Sequence, residues 1–150
     1  MKILRKVGIL LFVVFVGIQF IPTTRNESNT ILTTDFVETF NPPLNLSSLL
    51  KTSCYDCHSN NTNYPWYNKV QPISWFLEGH INEAKEELNF SEFGDYSNRK
   101  KKSKLKSIMS QIKNDEMPLS SYIIMHQNAR ISERDKLDLE KWLTGLRDSL

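Results

Sequence analysis

The sequence predicts an all-α protein in which one small helical domain follows an N-terminal apolar helix. Several stretches after residue 44 repeat apolar residues at the spacing of an α-helix, and none shows the alternating pattern of a strand. Only 5 Gly and 6 Pro occur among 150 residues, which argues against a low-complexity chain. With 39% hydrophobic residues, a chain of this length suffices for one domain and an N-terminal segment.

Residues 1–22 form the N-terminal segment, in which an apolar run extends from Val7 to Ile21 and ends at Pro22. As a helix, this run would be about 22 Å long, which is short of the ~30 Å hydrocarbon core of a bilayer. Length therefore leaves both a membrane anchor and a cleavable signal peptide open. The run ends without the small residues of a signal cleavage site, which favours an uncleaved transmembrane helix.

The charges around this run predict its orientation. Lys2, Arg5 and Lys6 precede it without any acidic residue, which keeps the N-terminus in the cytoplasm. The domain is then expected on the periplasmic side of the inner membrane, or free in the periplasm if the segment is cleaved. The other 16 of the 19 Lys and Arg residues nearly balance the 17 Asp and Glu residues, so composition predicts no binding of nucleic acid.

Residues 23–44 are polar, rich in Thr and Asn, and end on two prolines. This composition predicts an extended tether between the membrane segment and the domain. The domain is expected to span residues 45–150. Asn45 is the predicted N-cap of its first helix, over residues 46–53.

The motif Cys54-Tyr-Asp-Cys57-His58 follows that helix and is the c-type haem attachment pattern. Two cysteines separated by two residues can each add to one vinyl group on the same edge of a porphyrin. His58 is then held beneath the iron and becomes its proximal ligand. The motif predicts one covalently bound haem c.

The cysteine pair allows three other interpretations. A structural zinc site needs four N or S ligands, and the chain has no further cysteine and no histidine at finger spacing. A thioredoxin-like dithiol would lie within a βαβ pattern, which the sequence lacks. A structural disulfide in an exported protein remains open, but it leaves His58 unexplained.

Aromatic residues are concentrated in the Asn-rich loop after the motif, at Tyr64, Trp66 and Tyr67. Exposed loops seldom hold three such rings close together unless the rings cover something apolar. We expect them to contact the haem or to pack against neighbouring helices.

Pro72 suits the first position of the next helix. Its apolar residues recur on one face, and these are Ile73, Phe76, Leu77, Ile81, Ala84 and Leu88. His80 falls on the same face. It is either a buried core residue or, in a domain that holds a porphyrin, a haem contact or a second iron ligand.

A second amphipathic helix is predicted over residues 97–114, with Ser97 as N-cap and a basic run from Arg99 to Lys102 near its start. The basic run is either a solvated face or a docking surface for an acidic redox protein. Met117-Pro118 follows in a tight loop, where the thioether of Met117 can reach the open face of a haem iron. The alternative for Met117 is a core residue that fills a gap.

The C-terminal residues predict a last helix that Ser132 caps, with Asp135 completing a capping box. Its apolar stripe consists of Leu139, Trp142, Leu143, Leu146 and Leu150. This stripe is expected to pack against the helix that precedes the haem motif.

From about Leu46 to Trp142 the chain resembles the small bacterial haem-binding domain family of c-type cytochromes, whose members typically follow an N-terminal membrane segment. The resemblance lies in Cys54-Tyr-Asp-Cys-His-Ser-Asn, Tyr64-Pro-Trp-Tyr, Pro72-Ile-Ser-Trp-Phe-Leu, His80-Ile-Asn-Glu, Leu88-Asn-Phe-Ser-Glu, Met117-Pro, and Tyr122 with His126. It implies a cytochrome c-like helical haem domain with His58 as proximal ligand. The Met-Pro loop also resembles class I cytochromes, which implies Met117 as distal ligand.

These observations predict a monohaem c-type cytochrome that transfers electrons to or from an unidentified redox protein and is not an enzyme. The alternatives are a haem-based sensor or small-gas binder and a peroxidase-like enzyme, both of which need an open distal site.

Overall fold

The computed structural model describes residues 2–28 and 30–150, which form α-helices and short 3-10 helices without a named strand. This confirms the predicted all-α class. The α-helices are α1 (Lys2–Ile18), α2 (Phe36–Phe40), α3 (Leu44–Ser53), α4 (Tyr55–His58), α5 (Ile73–Glu87), α6 (Asn98–Lys113), α7 (Ser120–Met125) and α8 (Glu133–Ser149). The 3-10 helices are Trp66–Lys69, Phe90–Asp95 and Gln127–Ala129.

Helix α1 contains most of the apolar run, and none of its residues is buried. Across the described ranges, no helix combines the length and the apolar content needed to cross a bilayer. Hydrogen bonds connect the chain after α1 to the domain. The Gln19 side chain accepts one from the Gln71 amide at 2.9 Å and donates one to the Gln71 carbonyl at 3.1 Å. The Thr23 and Ser74 hydroxyls lie 2.7 Å apart.

The prediction of an extended tether over residues 23–44 is wrong. Asp35 caps α2 by accepting a 2.9 Å hydrogen bond from the Val37 backbone amide. Phe36 is fully buried and packs edge-on against Phe90 and Phe93, at ring distances of 5.2 and 4.9 Å. Burying one Phe side chain contributes about 1.5–3 kcal/mol, which helps to hold an otherwise polar segment against the domain.

Helix α3 starts slightly earlier than predicted, at Leu44 after Pro43, and no side chain caps it. The prediction of Asn45 as N-cap is therefore wrong, because Asn45 lies within the first turn of the helix and Pro43 occupies the cap position. The helix buries Leu46 and Leu50 and ends at the haem motif, as expected.

The predicted apolar face of α5 is only partly buried. Ile81 and Leu88 lie in the interior, whereas Phe76 is 71% exposed. The first half of α5 instead buries Ser74 and Glu78. The Ser74 hydroxyl lies beside that of Thr23, and one oxygen of the Glu78 carboxylate accepts a hydrogen bond from Tyr64. These polar partners offset part of the cost of burying the two side chains.

Helices α6 and α8 contact each other, and α8 also contacts α3, as the C-terminal stripe predicts. The Ser97 hydroxyl accepts a hydrogen bond from the Lys100 amide, and the Ser132 hydroxyl accepts one from the Asp135 amide, which confirms both predicted N-caps. The core they share joins residues from α2, α3, α6 and α8 with those of the segment after α5. Its members are Phe36, Leu46, Leu50, Leu88, Phe90, Phe93, Leu105, Ile108, Ile112, Ile131, Leu139 and Leu143.

Candidate haem site

The haem motif folds as a single helical turn. Cys54 ends α3 and begins α4, and its carbonyl accepts hydrogen bonds from the amides of Cys57 at 3.3 Å and His58 at 3.0 Å. Residues three and four apart lie on the same face of a helix. The turn therefore presents both thiols and the imidazole on one side.

The residues between the two cysteines hold this turn in place. The Tyr55 ring stacks on Phe90 at 5.2 Å, and its hydroxyl donates a 3.0 Å hydrogen bond to Asp35. Burial, followed by the Asp35 charge and hydrogen bond, raises the pKa of Tyr55, which keeps the hydroxyl protonated as a donor. The motif is thus fixed to the core through the segment that contains α2.

The His58 imidazole is oriented by backbone carbonyls. Its Nδ1 lies 2.9 Å from the Ala84 carbonyl and 3.0 Å from the Leu88 carbonyl, at the C-terminal end of α5. Carbonyl oxygens only accept hydrogen bonds, so Nδ1 is the protonated nitrogen. Burial lowers the pKa of His58, which favours the neutral ring, whereas the two carbonyl contacts act in the opposite direction. The neutral tautomer leaves Nε2 with a free lone pair, as a metal ligand requires.

Both cysteines are free thiols and partly buried. Burial, with a smaller contribution from Cys57, raises the pKa of Cys54 to about 12. Burial and then Asp56 raise the pKa of Cys57 to about 11. A redox-active dithiol works through a thiolate of lowered pKa, and this pair shows the opposite shift.

Two adjoining cavities of about 360 Å³ each open beside the motif, and Cys54, His58 and Met117 line both. Each has the size of a typical small-molecule site. One cavity has an apolar wall of Leu88, Phe90, Ile108 and Ile112. The other is lined by Cys57, His80, Ala84, Leu119 and Tyr122, among others. An apolar cleft that contains thiols, an imidazole and a thioether has the donor set for a covalently bound haem.

Met117 lies in the loop between α6 and α7. The carbonyl of Gln111 accepts hydrogen bonds from the amides of Glu116 at 2.9 Å and Met117 at 3.3 Å, which ties the loop to the end of α6. Met117 is partly buried and Pro118 is buried. The structure therefore brings Met117 to the same cavities as His58, while iron ligation by Met117 stays a prediction.

The other predicted haem contacts lie in different places. Tyr64 lines neither cavity and donates a 2.9 Å hydrogen bond to Glu78. Trp66 is 74% exposed and packs on Tyr67, whose ring lies 6.3 Å from that of His126. His80 does line the second cavity. It is only partly buried, with Nδ1 2.9 Å from the Phe76 carbonyl, so it is not a core residue.

Sequence reasoning missed the contact between Asp56 and Tyr122. The Asp56 carboxylate accepts a 2.7 Å hydrogen bond from the Tyr122 hydroxyl and a 3.1 Å hydrogen bond from the Asn63 amide. Burial and Asp56 raise the pKa of Tyr122. Because α7 begins just after Met117, this bond joins the motif to the Met117 loop. The only sequence feature that marked Tyr122 was its spacing from His126, and the two rings stack at 4.2 Å.

Lys104 was also missed, because in the sequence it is one of several basic residues on α6. It lines the first cavity, and its ammonium lies 3.3 Å from the Glu87 carboxylate at the rim. The Glu87 side chain is 83% exposed and the Lys104 side chain 23%. An ion pair so open to solvent contributes about 0–1 kcal/mol.

A zinc site would need ligands beyond the motif. Within residues 2–28 and 30–150, no group of three or more His, Cys, Asp or Glu side chains is arranged to hold a metal ion.

Comparison with known proteins gives one match. No curated protein and no solved structure matches the chain. A family model described as haem-binding domain matches residues 13–145, which include the haem motif, both cavities and the Met117 loop. The chain therefore belongs to the haem-binding domain family.

Proposed function

We propose that this protein is a monohaem c-type cytochrome that transfers electrons in the periplasm. The observation that carries the proposal is the orientation of His58 next to the two thiols. Its Nδ1 donates its hydrogen to two backbone carbonyls, so Nε2 is the nitrogen with a free lone pair for iron. Haem binding itself follows from the family; covalent attachment and electron transfer are the proposal.

The Cys54 and Cys57 thiols would hold the porphyrin through two thioether bonds. Each S–H would add across one vinyl C=C bond, so that sulfur would form a new C–S bond and the hydrogen would go to the other vinyl carbon. This addition consumes no oxidant or reductant. Both thiols are reduced in the structure and lie three residues apart on one helical turn, as two neighbouring vinyl groups require.

His58 and Met117, which line the same two cavities, are the residues that would hold the iron. When bound, haem supplies one-electron exchange between ferric and ferrous iron. The chain keeps both ligands in place, because carbonyls at the end of α5 fix the His58 ring and the end of α6 fixes the Met117 loop. Leu88, Phe90 and Ile108 would cover one side of the group with apolar side chains. Ligands held in fixed positions by hydrogen bonds would keep reorganisation small during electron transfer.

The alternative function is a haem-based sensor or small-gas binder, or a peroxidase-like enzyme. It would require that Met117 leaves the iron open. The observation in its favour is His80, which lines the same cavity as Met117 and could hydrogen-bond a distal ligand.

Membrane attachment through α1 is part of the proposal. The helix is apolar after Lys6, carries Lys2, Arg5 and Lys6 in its first turns, and buries none of its residues. With 17 residues it is about 25 Å long. We place its N-terminus in the cytoplasm and the domain in the periplasm; an exported protein with a cleaved signal is the alternative.

The test is an absorption spectrum of the protein produced with haem c maturation machinery, recorded in both oxidation states. We expect haem that survives denaturation and, in the oxidised form, a sulfur-to-iron charge-transfer band. Met117→Ala should abolish this band. Met125→Ala is the matched control, because Met125 is exposed and lines neither cavity.

The outcomes separate the candidates. Loss of the band in Met117→Ala alone supports the cytochrome. Covalent haem without the band in the wild type would favour the sensor or the enzyme, and His80→Ala would then test the distal histidine. Release of all haem on denaturation would refute covalent attachment.

A further inference from the structure

We propose that Lys104 binds a propionate carboxylate of the haem. This inference rests on the proposed function, since it assumes a porphyrin in the cleft beside Cys54 and His58. It assigns to Lys104 a role that neither the motif nor the family match provides.

The charges around the cleft single out Lys104 as the partner of a propionate. Haem carries two carboxylates, and burying a carboxylate without a partner is costly. Of the described residues that line the two cavities, Lys104 is the one lysine or arginine. The acidic residues there are Asp56, Glu83 and Glu87, which would repel a carboxylate. A dianionic ligand therefore has one strong cationic partner in this cleft.

The position of Lys104 suits this role. Its side chain is mostly buried, and it lines the apolar cavity together with Ile108. Ser107 and Gln111 line the same wall, three and seven residues further along α6. Their hydroxyl and amide groups offer further donors to a carboxylate beside the ammonium.

The present partner of Lys104 can be exchanged at little cost. The Glu87 side chain is 83% exposed, so water solvates its carboxylate when Lys104 leaves. A propionate in the cleft would offer the Lys104 ammonium the same kind of charge-assisted hydrogen bond that Glu87 provides at the rim. Lys104 would then move from Glu87 to the haem.

The experiment compares Lys104→Gln with Lys106→Gln in the haem-loaded protein. Lys106 is the matched control, because it lies on the same helix, is exposed and lines neither cavity. The measurements are the reduction potential and the propionate bending band in the resonance Raman spectrum. Lys104→Gln should lower the potential, because removing a nearby positive charge stabilises ferric iron. It should also shift the propionate band, whereas Lys106→Gln should leave both unchanged.

Lys104→Arg provides a second test if the Gln variant fails to accumulate. Arginine keeps the charge but presents a planar fork of donors, so the propionate band should shift while the potential stays near that of the wild type. An unchanged band in the Lys104 variants would overturn the inference, as would equal shifts in Lys104→Gln and Lys106→Gln. In both of those cases the wild type still holds covalent haem, so the proposed function stands. Wild-type protein without haem would instead refute the proposed function and this inference with it.

Discussion

The hydrogen bond between Tyr122 and Asp56 predicts how firmly Met117 is held. The bond is 2.7 Å long and joins the haem motif to α7, which begins three residues after Met117. Tyr122→Phe removes the hydroxyl and leaves the ring that stacks on His126 at 4.2 Å. The change therefore tests the bond without creating a cavity.

The magnitude follows from the charge and exposure of the pair. A hydrogen bond to a charged group contributes about 1.5–3 kcal/mol. Tyr122 and Asp56 are both partly exposed, so we take the lower limit of about 1.5 kcal/mol. Because about 1.4 kcal/mol corresponds to a factor of ten, imidazole should displace Met117 from ferric iron at about one tenth of the wild-type concentration.

The assay is an imidazole titration of the oxidised protein, followed by loss of the sulfur-to-iron band. Tyr67→Phe is the control, because it removes a phenol hydroxyl from the other ring beside His126 and leaves the Tyr122–Asp56 hydrogen bond in place, and it should change the imidazole affinity less than about twofold. If Tyr122→Phe binds imidazole like the wild type, the Asp56 bond does not restrain the Met117 loop.

Two further predictions concern the N-terminal half of the chain. Phe36→Ala should lower the free energy of unfolding in urea by about 3–5 kcal/mol, as for other buried Phe residues. Phe76→Ala, at a 71% exposed position, should lower it by less than about 1 kcal/mol; equal losses would contradict the burial of Phe36. Replacing residues 2–18 with a cleavable export signal should move the haem-loaded protein from the membrane fraction to the soluble periplasmic fraction, as detected by immunoblotting. Retention in the membrane fraction would exclude α1 as the anchor.

The helices that sequence patterns predicted well are those with caps and long apolar repeats. Ser97 and Ser132 mark the starts of α6 and α8, because a side-chain oxygen beside free amides is a local signal. The buried face of α5 was not predictable in the same way. Periodicity shows where apolar residues lie, but Ser74 and Glu78 are buried because a distant polar segment happens to cover them.

In the site, too, the features that depend on neighbouring residues are predictable from the sequence, and those that depend on distant residues are not. The placement of both thiols and His58 on one face follows from their spacing in a single helical turn. The contacts of Lys104 and Tyr122 join elements far apart in sequence. The partners of His58 Nδ1 are backbone carbonyls, which exist at every position and carry no sequence signal.

The end of α5 connects this backbone geometry to the proposed redox chemistry. At Leu88 the chain turns extended, with φ −150° and ψ 121°, so the helix stops there, and the Leu88 amide donates the last hydrogen bond of the helix to the Ala84 carbonyl at 2.9 Å. The Leu88 carbonyl, together with that of Ala84, accepts the His58 Nδ1 hydrogen. A helix C-terminus carries partial negative charge, which strengthens this hydrogen bond and makes Nε2 a better donor to iron. That effect favours ferric iron, whereas a Met117 thioether favours ferrous iron. In the proposed cytochrome, the carbonyls at the end of α5 would therefore lower the reduction potential, whereas the Met117 thioether would raise it.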